Sequence, residues 1–263
     1  MKIALFYMSI TGNTKFIAEI IKKGVEESGN SCDLFNIHEL DLSSIQEYDL
    51  CGFGAPVFAY REPTPIQKFI LALKEPEGKY AFLFCTCEGS FGNFFFRMAN
   101  FLAKKSIAVF SKEVFYCPSS YLIWPRKFNH FKPDEIKKAV NYGKSLTLDY
   151  HAITEANRQL PKVKQNVRAA ILAKFMSDWA LRWYLGTINV DYDKCTQCGI
   201  CANICPTNAI ELAPFPRISK KACIGCCGCI NNCPTRALDS KKSQGKSRYV
   251  FAPNVNFTHN TIQ

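Results

Sequence analysis

Two runs of cysteine near the C-terminal end have the spacing of iron-sulfur ligands. The first reads Cys195-x2-Cys198-x2-Cys201-x3-Cys205-Pro206, and the second, 28 residues later, reads Cys223-x2-Cys226-x2-Cys229-x3-Cys233-Pro234. Three thiolates separated by two residues each can hold one cubane, and in a two-cluster arrangement the fourth thiolate binds the other cluster. The spacing therefore predicts two [4Fe-4S] clusters, one held by Cys195, Cys198, Cys201 and Cys233, the other by Cys223, Cys226, Cys229 and Cys205.

Zinc and disulfides are the alternatives for these cysteines. A structural zinc site usually takes two pairs of ligands separated by a longer loop, whereas here four cysteines fall within eleven residues, twice. Disulfides are disfavoured in a reducing cytoplasm. Cys227 lies inside the second run where the spacing requires no ligand, and we expect it to be a bystander. Five further cysteines fall on or beside predicted strands as small hydrophobic residues, and of these Cys87 is the candidate for a reactive thiol.

A loop of glycine and hydroxyl residues, Ser9-Ile10-Thr11-Gly12-Asn13-Thr14, joins the first predicted strand to the first predicted helix. Its glycine lets the backbone curl, so that successive N–H groups, the helix N-terminus and three hydroxyls can surround a phosphate. The loop has no lysine, which argues against a nucleoside triphosphatase and favours a phosphate monoester. A simple N-capped turn is the alternative, because the same residue types are common at helix caps.

Two later loops extend this predicted site. They follow the third and fourth predicted strands, where a doubly wound sheet binds its ligands. Phe58, Tyr60 and Phe91 could stack on a flat ring while backbone amides bond its polar edge, although core packing is the alternative in a chain with 21 phenylalanines. The residues predicted to bind the cofactor are Ser9, Thr11, Gly12, Asn13, Thr14, Pro56, Val57, Phe58, Ala59, Tyr60, Thr86, Cys87, Glu88, Gly89, Phe91, Gly92 and Asn93.

The elements that must position these loops alternate between β-rich runs and helical patterns. Strands are predicted at 2–8, 32–37, 50–54, 80–85 and 113–117, and helices at 14–28, 64–73, 93–104 and 134–150. This alternation predicts an α/β fold with a doubly wound, five-stranded parallel sheet. Residues 154–186 carry apolar residues at helical spacing, including Phe175, Trp179 and Trp183, and predict one amphipathic linker helix. A membrane-surface anchor is possible, but we favour a helix that buries this stripe between two domains.

The two halves of the chain resemble two known families. Residues 1–153 resemble a flavodoxin, because the S-x-T-G-N-T loop matches the FMN phosphate loop of that family. Residues 187–240 closely resemble the bacterial two-cluster ferredoxins, including Pro206 and Pro234. Together they resemble flavodoxin–ferredoxin fusion proteins, which implies FMN, two [4Fe-4S] clusters and a small α+β ferredoxin domain. The sequence departs from the flavodoxin pattern in two ways: it lacks the usual acidic surface, and it has an aromatic loop from Tyr121 to Phe131 whose role the resemblance does not give. Residues 241–263 follow the ferredoxin-like segment as a basic tail.

Charge and hydropathy narrow the function classes. The net charge of +11 lies mainly in the linker and the tail, since residues 1–150 carry 18 Lys/Arg against 16 Asp/Glu. No aromatic-interleaved basic groove accompanies it, so we expect no nucleic-acid partner. No apolar run approaches the length of a membrane span, and we interpret the first residues as a strand of a cytoplasmic protein.

The expected function is electron transfer between FMN, the clusters and external donor and acceptor proteins, with the oligomeric state left open. The alternatives are a flavin-dependent reductase of a small-molecule acceptor, for which the loop from Tyr121 to Phe131 could form a lid, and a binding module without a redox role.

Overall fold

A five-stranded parallel sheet forms the N-terminal part of the chain. The computed structural model describes residues 1–39, 45–74, 78–155, 159–176 and 178–251, without the side chains of residues 174 and 179. The strands are β1 (Lys2–Tyr7), β2 (Ser31–Asn36), β3 (Leu50–Pro56), β4 (Tyr80–Cys87) and β5 (Ala108–Tyr116), in the order β2-β1-β3-β4-β5. The predicted doubly wound sheet is confirmed, and its strand order reverses between β1 and β3, the place where such sheets bind ligands.

Helices cover both faces of this sheet and bury its apolar residues. The four helices are α1 (Asn13–Glu27), α2 (Thr64–Ala72), α3 (Phe94–Ala103) and α4 (Pro133–Thr154). One apolar core joins α1 and α4 to the sheet, and a second core joins α2 and α3 to its other face. The first pair packs closely because each helix has a glycine at the crossing: a Cβ on Gly24 would lie 2.1 Å from the Val140 carbonyl oxygen, and one on Gly143 would lie 2.2 Å from that of Ile21.

Strand β5 begins five residues earlier than its predicted start at residue 113. Val109 and Phe110 at its beginning are buried against the sheet, whereas the run Ser111-Lys112-Glu113 that follows is polar. An edge strand tolerates charged residues on its outer side. The polar run therefore interrupts the hydrophobic pattern without interrupting the strand.

The linker differs from its prediction in two ways. It forms two short helices, α5 (Val167–Phe175) and α6 (Asp178–Leu185), rather than one. Phe175 and Trp183, which we expected to be buried between domains, are largely exposed, and Leu181 and Leu185 are buried instead. The side chain of Trp179 lies outside the described part of the chain, as does the tail beyond residue 251.

The C-terminal part is a small α+β unit with internal repetition. It contains β6 (Ile188–Val190), α7 (Ile200–Asn203), β7 (Ile210–Leu212), β8 (Pro216–Ile218), α8 (Gly228–Asn231) and β9 (Leu238–Ser240). Strands β6 and β9 pair antiparallel, as do β7 and β8. Equivalent positions of the two cysteine runs share a left-handed backbone, at Gln197 and Gly225, at Gly199 and Cys227, and at Asn208 and Arg236. The repeat in sequence is thus also a repeat in backbone conformation.

Within the described residues, the structure has no helix that is both long and apolar enough to cross a membrane.

Candidate cofactor sites

The glycine-hydroxyl loop lies between β1 and the N-terminus of α1. Gly12 precedes the first helical residue with a left-handed φ of 98°, a conformation that glycine adopts without steric cost. The Thr14 hydroxyl is hydrogen-bonded to the Thr86 hydroxyl at 2.8 Å. The Ser9 hydroxyl is buried and has no hydrogen-bond partner among the described residues. A buried hydroxyl without a partner costs free energy unless a ligand bonds it, so the loop fits a bound phosphate.

A cavity of about 410 Å³ opens beside this loop, at the ends of β1, β3 and β4. This volume lies within the range of small-molecule sites. Most of the sequence-predicted residues line it, namely Ser9, Thr11, Asn13, Thr14, Pro56, Val57, Phe58, Ala59, Tyr60, Thr86, Cys87, Glu88 and Gly89. Phe58 and Tyr60 provide aromatic surface, and a hydrogen bond from the Cys85 thiol lowers the pKa of Cys87. The lining therefore contains both the hydroxyls of the phosphate loop and aromatic rings, the groups that a flavin mononucleotide requires.

Four of the predicted residues lie outside the lining of this cavity: Gly12, Phe91, Gly92 and Asn93. Phe91 is exposed and packs on Phe95, with the ring centroids 5.4 Å apart. The backbone N–H of Asn93 donates to the Tyr60 carbonyl at 2.7 Å, and a Cβ on Gly92 would lie 2.3 Å from that same oxygen. Gly92 and Asn93 hold the loop after β4 against the loop after β3. Their role in the structure is to shape the wall of the cavity.

The cavity has further walls, built by residues that were not among those predicted to bind the cofactor. They come from the loop after β5 with Tyr121 and Trp124, from the linker with Met176 and Leu181, and from the second cysteine run with Gly225 and Cys226. Tyr121, Trp124 and Tyr184 form a stack of rings, with successive centroids 5.2 and 5.3 Å apart. The Tyr121 hydroxyl is buried without a hydrogen-bond partner in the described part of the chain, and burial raises its pKa. Tyr121 and Trp124 thus bring this loop to the cavity, where the reductase alternative expects a lid.

The eight spaced cysteines surround two further cavities in the crossed sets predicted above. Cys195, Cys198, Cys201 and Cys233 line one. Cys205, Cys223, Cys226 and Cys229 line the other, and Cys227 also lines it. The fourth cysteine of each run accepts a hydrogen bond from a backbone N–H four residues later, from Ala209 to Cys205 and from Ala237 to Cys233, both at 3.2 Å. Hydrogen bonds from amides to sulfur favour the thiolate that an iron-sulfur cluster needs. In the described residues, no three Cys, His, Asp or Glu side chains converge closely enough to hold a single metal ion.

The two parts of the chain are packed together next to the first cavity. The Asn231 side-chain amide donates to the Ser120 carbonyl at 2.7 Å. Gly228 lies against Ile10 of the glycine-hydroxyl loop, since a Cβ there would come within 2.4 Å of the Ile10 Cγ2. Leu122 and Ile123 share an apolar core with Ile230 and other residues of the C-terminal unit. This contact places Cys226 in the wall of the cavity beside the phosphate loop.

Comparisons with known proteins agree with this two-part construction. Residues 5–111 match the family model described as flavodoxin, and residues 188–211 match the model of a 4Fe-4S binding domain. The order of the two matches, a flavodoxin domain followed by a 4Fe-4S domain, agrees with a flavodoxin–ferredoxin fusion. Its two domains are of electron-transfer families, and they imply FMN and 4Fe-4S chemistry.

The similar proteins align with the flavodoxin domain. A flavodoxin of Clostridium saccharobutylicum is 29% identical over 153 residues, which cover 56% of this chain and 95% of that protein. An uncharacterized protein of Methanocaldococcus jannaschii is 28% identical over 156 residues, covering 56% of this chain and 98% of its own length. A solved flavodoxin structure from the domain Archaea is 20% identical, with a TM-score of 0.46, and covers 57% of this chain and 100% of that one.

Cys227 of the ferredoxin domain occupies the position that Gly199 has in the first run. Both residues precede a short helix in the left-handed conformation, Cys227 with a φ of 60°. Its side chain is buried in the apolar core between the domains and its pKa is raised to about 12 by burial, although a hydrogen bond from the Leu122 backbone lowers it. This thiol contacts the flavodoxin domain, which explains an extra cysteine that the ligand spacing does not require.

The chain beyond the ferredoxin domain returns to the phosphate loop of the flavodoxin domain. The Tyr249 hydroxyl donates to the Asn13 side-chain oxygen at 2.5 Å. The Phe251 ring packs over Gly12, where a Cβ would lie 2.7 Å from its Cγ. The Arg248 guanidinium donates to the Leu238 carbonyl at 2.8 Å and fixes this segment to the ferredoxin domain. The tail thus covers the outer side of the phosphate loop.

Proposed function

We propose that this chain moves electrons between one FMN, two [4Fe-4S] clusters and external redox proteins in the cytoplasm. The observation that carries the proposal is the shared wall: Gly225 and Cys226, from the second cysteine run, line the same cavity as Ser9, Thr14 and Tyr60. When bound, FMN can exchange one or two electrons and each cluster exchanges one at a time. A single chain can therefore collect electrons singly and deliver them in pairs, or the reverse.

In this proposal the flavodoxin domain orients FMN through three groups of residues. The Ser9 hydroxyl, the Thr11 hydroxyl and the N-terminus of α1 bind its phosphate, because an anion is favoured by helix N–H groups and by the helix dipole. Phe58 and Tyr60 pack on its ring system. Tyr121, Met176 and Leu181 exclude water on the side that faces the ferredoxin domain.

The ferredoxin domain gives the two clusters different positions in the proposed route. The set with Cys226 borders the FMN cavity, so its cluster is the inner one. The other set includes Cys198, the one exposed thiol among the described cysteines. We infer that an external protein exchanges electrons with the outer cluster at Cys198, and that the inner cluster connects it to FMN.

The cofactor content of protein purified without oxygen tests the first part of the proposal. We expect about one FMN and eight iron atoms per chain, measured by extraction of the flavin and by iron analysis. Four iron atoms per chain, or protein that never contains flavin, would contradict it.

The crossed ligation is tested by two cysteine variants. Cys205→Ser should remove the inner cluster, although the other three ligands of that cluster belong to the second cysteine run. The EPR signal of the outer cluster should remain. The matched control, Cys227→Ser, should retain both clusters, because Cys227 lines the same cavity as Cys226 but is not required by the ligand spacing and is hydrogen-bonded to the Leu122 backbone. Loss of a cluster in Cys227→Ser together with its retention in Cys226→Ser would show that the ligand register is wrong.

The domain arrangement is tested by rapid mixing with a reductant. In the intact chain, transfer between cluster and flavin should proceed at a rate independent of protein concentration, because tethering keeps the two sites together. Cleavage in the chain near Gly186 followed by mixing of the halves should make this step slow and dependent on concentration. Equal transfer rates before and after cleavage would show that the covalent connection between the two domains does not assist electron transfer.

A flavin-dependent reductase is the second candidate function, favoured by the position of Tyr121 and Trp124 in the wall of the cavity. A loop of this kind could close over a small-molecule acceptor. Steady-state assays with a panel of acceptors distinguish the two functions, since a carrier reduces proteins and turns over no small molecule specifically.

A further inference from the structure

Helix α5 directs its large apolar side chains toward solvent and its small ones toward the protein. Val167, Ile171 and Phe175 follow one another at intervals of four residues and are 65%, 53% and 76% exposed. Leu172 beside them is 48% exposed, whereas Ala169 on the opposite side is 5% exposed. Contiguous exposed apolar surface of this kind on a folded protein usually marks an interaction site.

Positive charge borders this apolar face, which we call the α5 face. Residues 159–177 contain Lys162, Lys164, Arg168 and Lys174 and no acidic residue. Lys162, Lys164 and Arg168 are exposed. The first carboxylate that follows, Asp178, is 2.9 Å from the Arg61 guanidinium and is thereby held on the flavodoxin domain. The surface that meets a partner at α5 is therefore apolar and basic.

Contacts at both ends of α5 fix this face outward. At its N-terminus the Asn93 amide donates to the Asn166 carbonyl at 2.9 Å, and the Asn166 backbone N–H donates to the Asn93 side-chain oxygen at 2.7 Å. Beyond its C-terminus, Asp178 also accepts a hydrogen bond from the Thr64 hydroxyl. Because these bonds orient the helix, its apolar residues cannot turn inward without breaking them.

We propose that the α5 face binds the surface of an anionic lipid bilayer. Exposed apolar side chains on a helix can insert at the level of the headgroups while Lys and Arg beside them contact anionic lipids. A second copy of this chain is a poorer partner, since pairing two α5 faces would bring two clusters of positive charge together without acidic residues to neutralise them. The short helix makes the binding weak and reversible, so it depends on both the apolar and the basic side chains.

Vesicle co-sedimentation of the cofactor-loaded protein tests the proposal. Vesicles of phosphatidylcholine with 30% phosphatidylglycerol should bind the protein at low salt, and vesicles of pure phosphatidylcholine should bind it at least about tenfold more weakly. Ile171→Ser combined with Phe175→Ser should reduce binding by about a hundredfold. The matched control is Leu148→Ser on α4, which removes an equally exposed leucine (74%) elsewhere on the protein and should change nothing.

The contribution of charge is tested by Lys164→Gln combined with Arg168→Gln, with Lys137→Gln on α4 as the control. Two basic residues at an anionic surface predict a loss of about thirtyfold, and a similar loss at high salt. All substituted side chains are exposed, so unchanged flavin and cluster spectra should verify the fold. Equal binding to both vesicle types, or no binding to either, would overturn the proposal. A dimer in sedimentation velocity that Phe175→Ser dissociates would assign the face to a second copy instead.

Discussion

Gly228→Ala probes the contact between the phosphate loop and the inner cluster site with one methyl group. Gly228 begins helix α8, and alanine is the better helix former, so the substitution should not disturb the helix itself. The added Cβ would lie 2.4 Å from the Ile10 Cγ2 and 3.5 Å from the Cys226 sulfur. Two carbon atoms in contact prefer about 3.5 to 4.0 Å, so Gly228 and Ile10 must separate by about 1 Å.

The cost of this separation falls on the interface between the domains. Overpacking by one methyl group costs about 1 to 3 kcal/mol, which shifts the ratio of docked to undocked molecules by roughly five- to 150-fold. Ile10→Ala removes the opposing methyl group, so the double variant should recover most of the loss. Ile10→Ala alone removes apolar contacts and should slow transfer less than Gly228→Ala does, because Ile10 is only partly buried and its truncation leaves a space rather than a clash.

Rapid mixing with stopped-flow detection measures the outcome. We expect Gly228→Ala to slow the concentration-independent transfer between cluster and flavin, because electron tunnelling falls steeply with distance, while FMN and iron contents remain those of the unaltered protein. The double variant should restore the rate. An unchanged rate in Gly228→Ala, or a slow rate that Ile10→Ala does not restore, would show that this docked arrangement is not the one that transfers electrons.

Three further predictions test single side chains. Ser9→Ala should leave the FMN-free protein at least as stable to urea, because it removes a buried hydroxyl without a partner among the described residues. The same substitution should weaken FMN binding about ten- to a hundredfold. Equal FMN affinity of both proteins in a fluorescence titration would show that Ser9 does not bind the phosphate. Glu62→Gln should lower the free energy of unfolding in urea by about 3 kcal/mol. The reason is that the buried Glu62 carboxylate accepts hydrogen bonds of 2.8 to 3.0 Å from the Arg97 guanidinium. A decrease of less than about 1 kcal/mol would contradict this prediction. Tyr249→Phe should lower the free energy of unfolding by about 1 kcal/mol and accelerate FMN release, because it removes the hydrogen bond to Asn13. An unchanged rate of FMN release would show that the tail does not hold the phosphate loop in place.

Local patterns made much of the flavodoxin fold predictable. The five strands and the helices between them follow from runs of β-forming residues and from 3.6-residue hydrophobic periods. The two cysteine runs are equally local, because each contains four cysteines within eleven residues. The crossing of the fourth cysteine to the other run is not local, and it was predicted from the known arrangement of two-cluster motifs.

The parts that were wrong or missed depend on long-range packing. Periodicity predicted that Phe175 and Trp183 of the linker are buried, but both are largely exposed, and Ala169, Leu181 and Leu185 are buried instead. Phe91 was expected at the flavin, but it lies outside the lining of the cavity and its ring packs on Phe95. Tyr121 and Cys226 line one cavity although they are far apart in sequence, and no local pattern shows that two such distant residues meet.

The residues that join the domains lie mostly outside the two matched segments, 5–111 and 188–211. The loop with Tyr121 to Trp124, the linker with Met176 and Leu181, and the tail with Tyr249 each contact the flavodoxin cavity or its phosphate loop. These segments bring the ferredoxin domain to the wall of the cavity, where Cys226 lies. In the proposed route, an external protein would therefore meet the cluster at the exposed Cys198 more directly than it would meet the flavin. The cluster at Cys226 would then be the neighbour of the flavin and would connect the two.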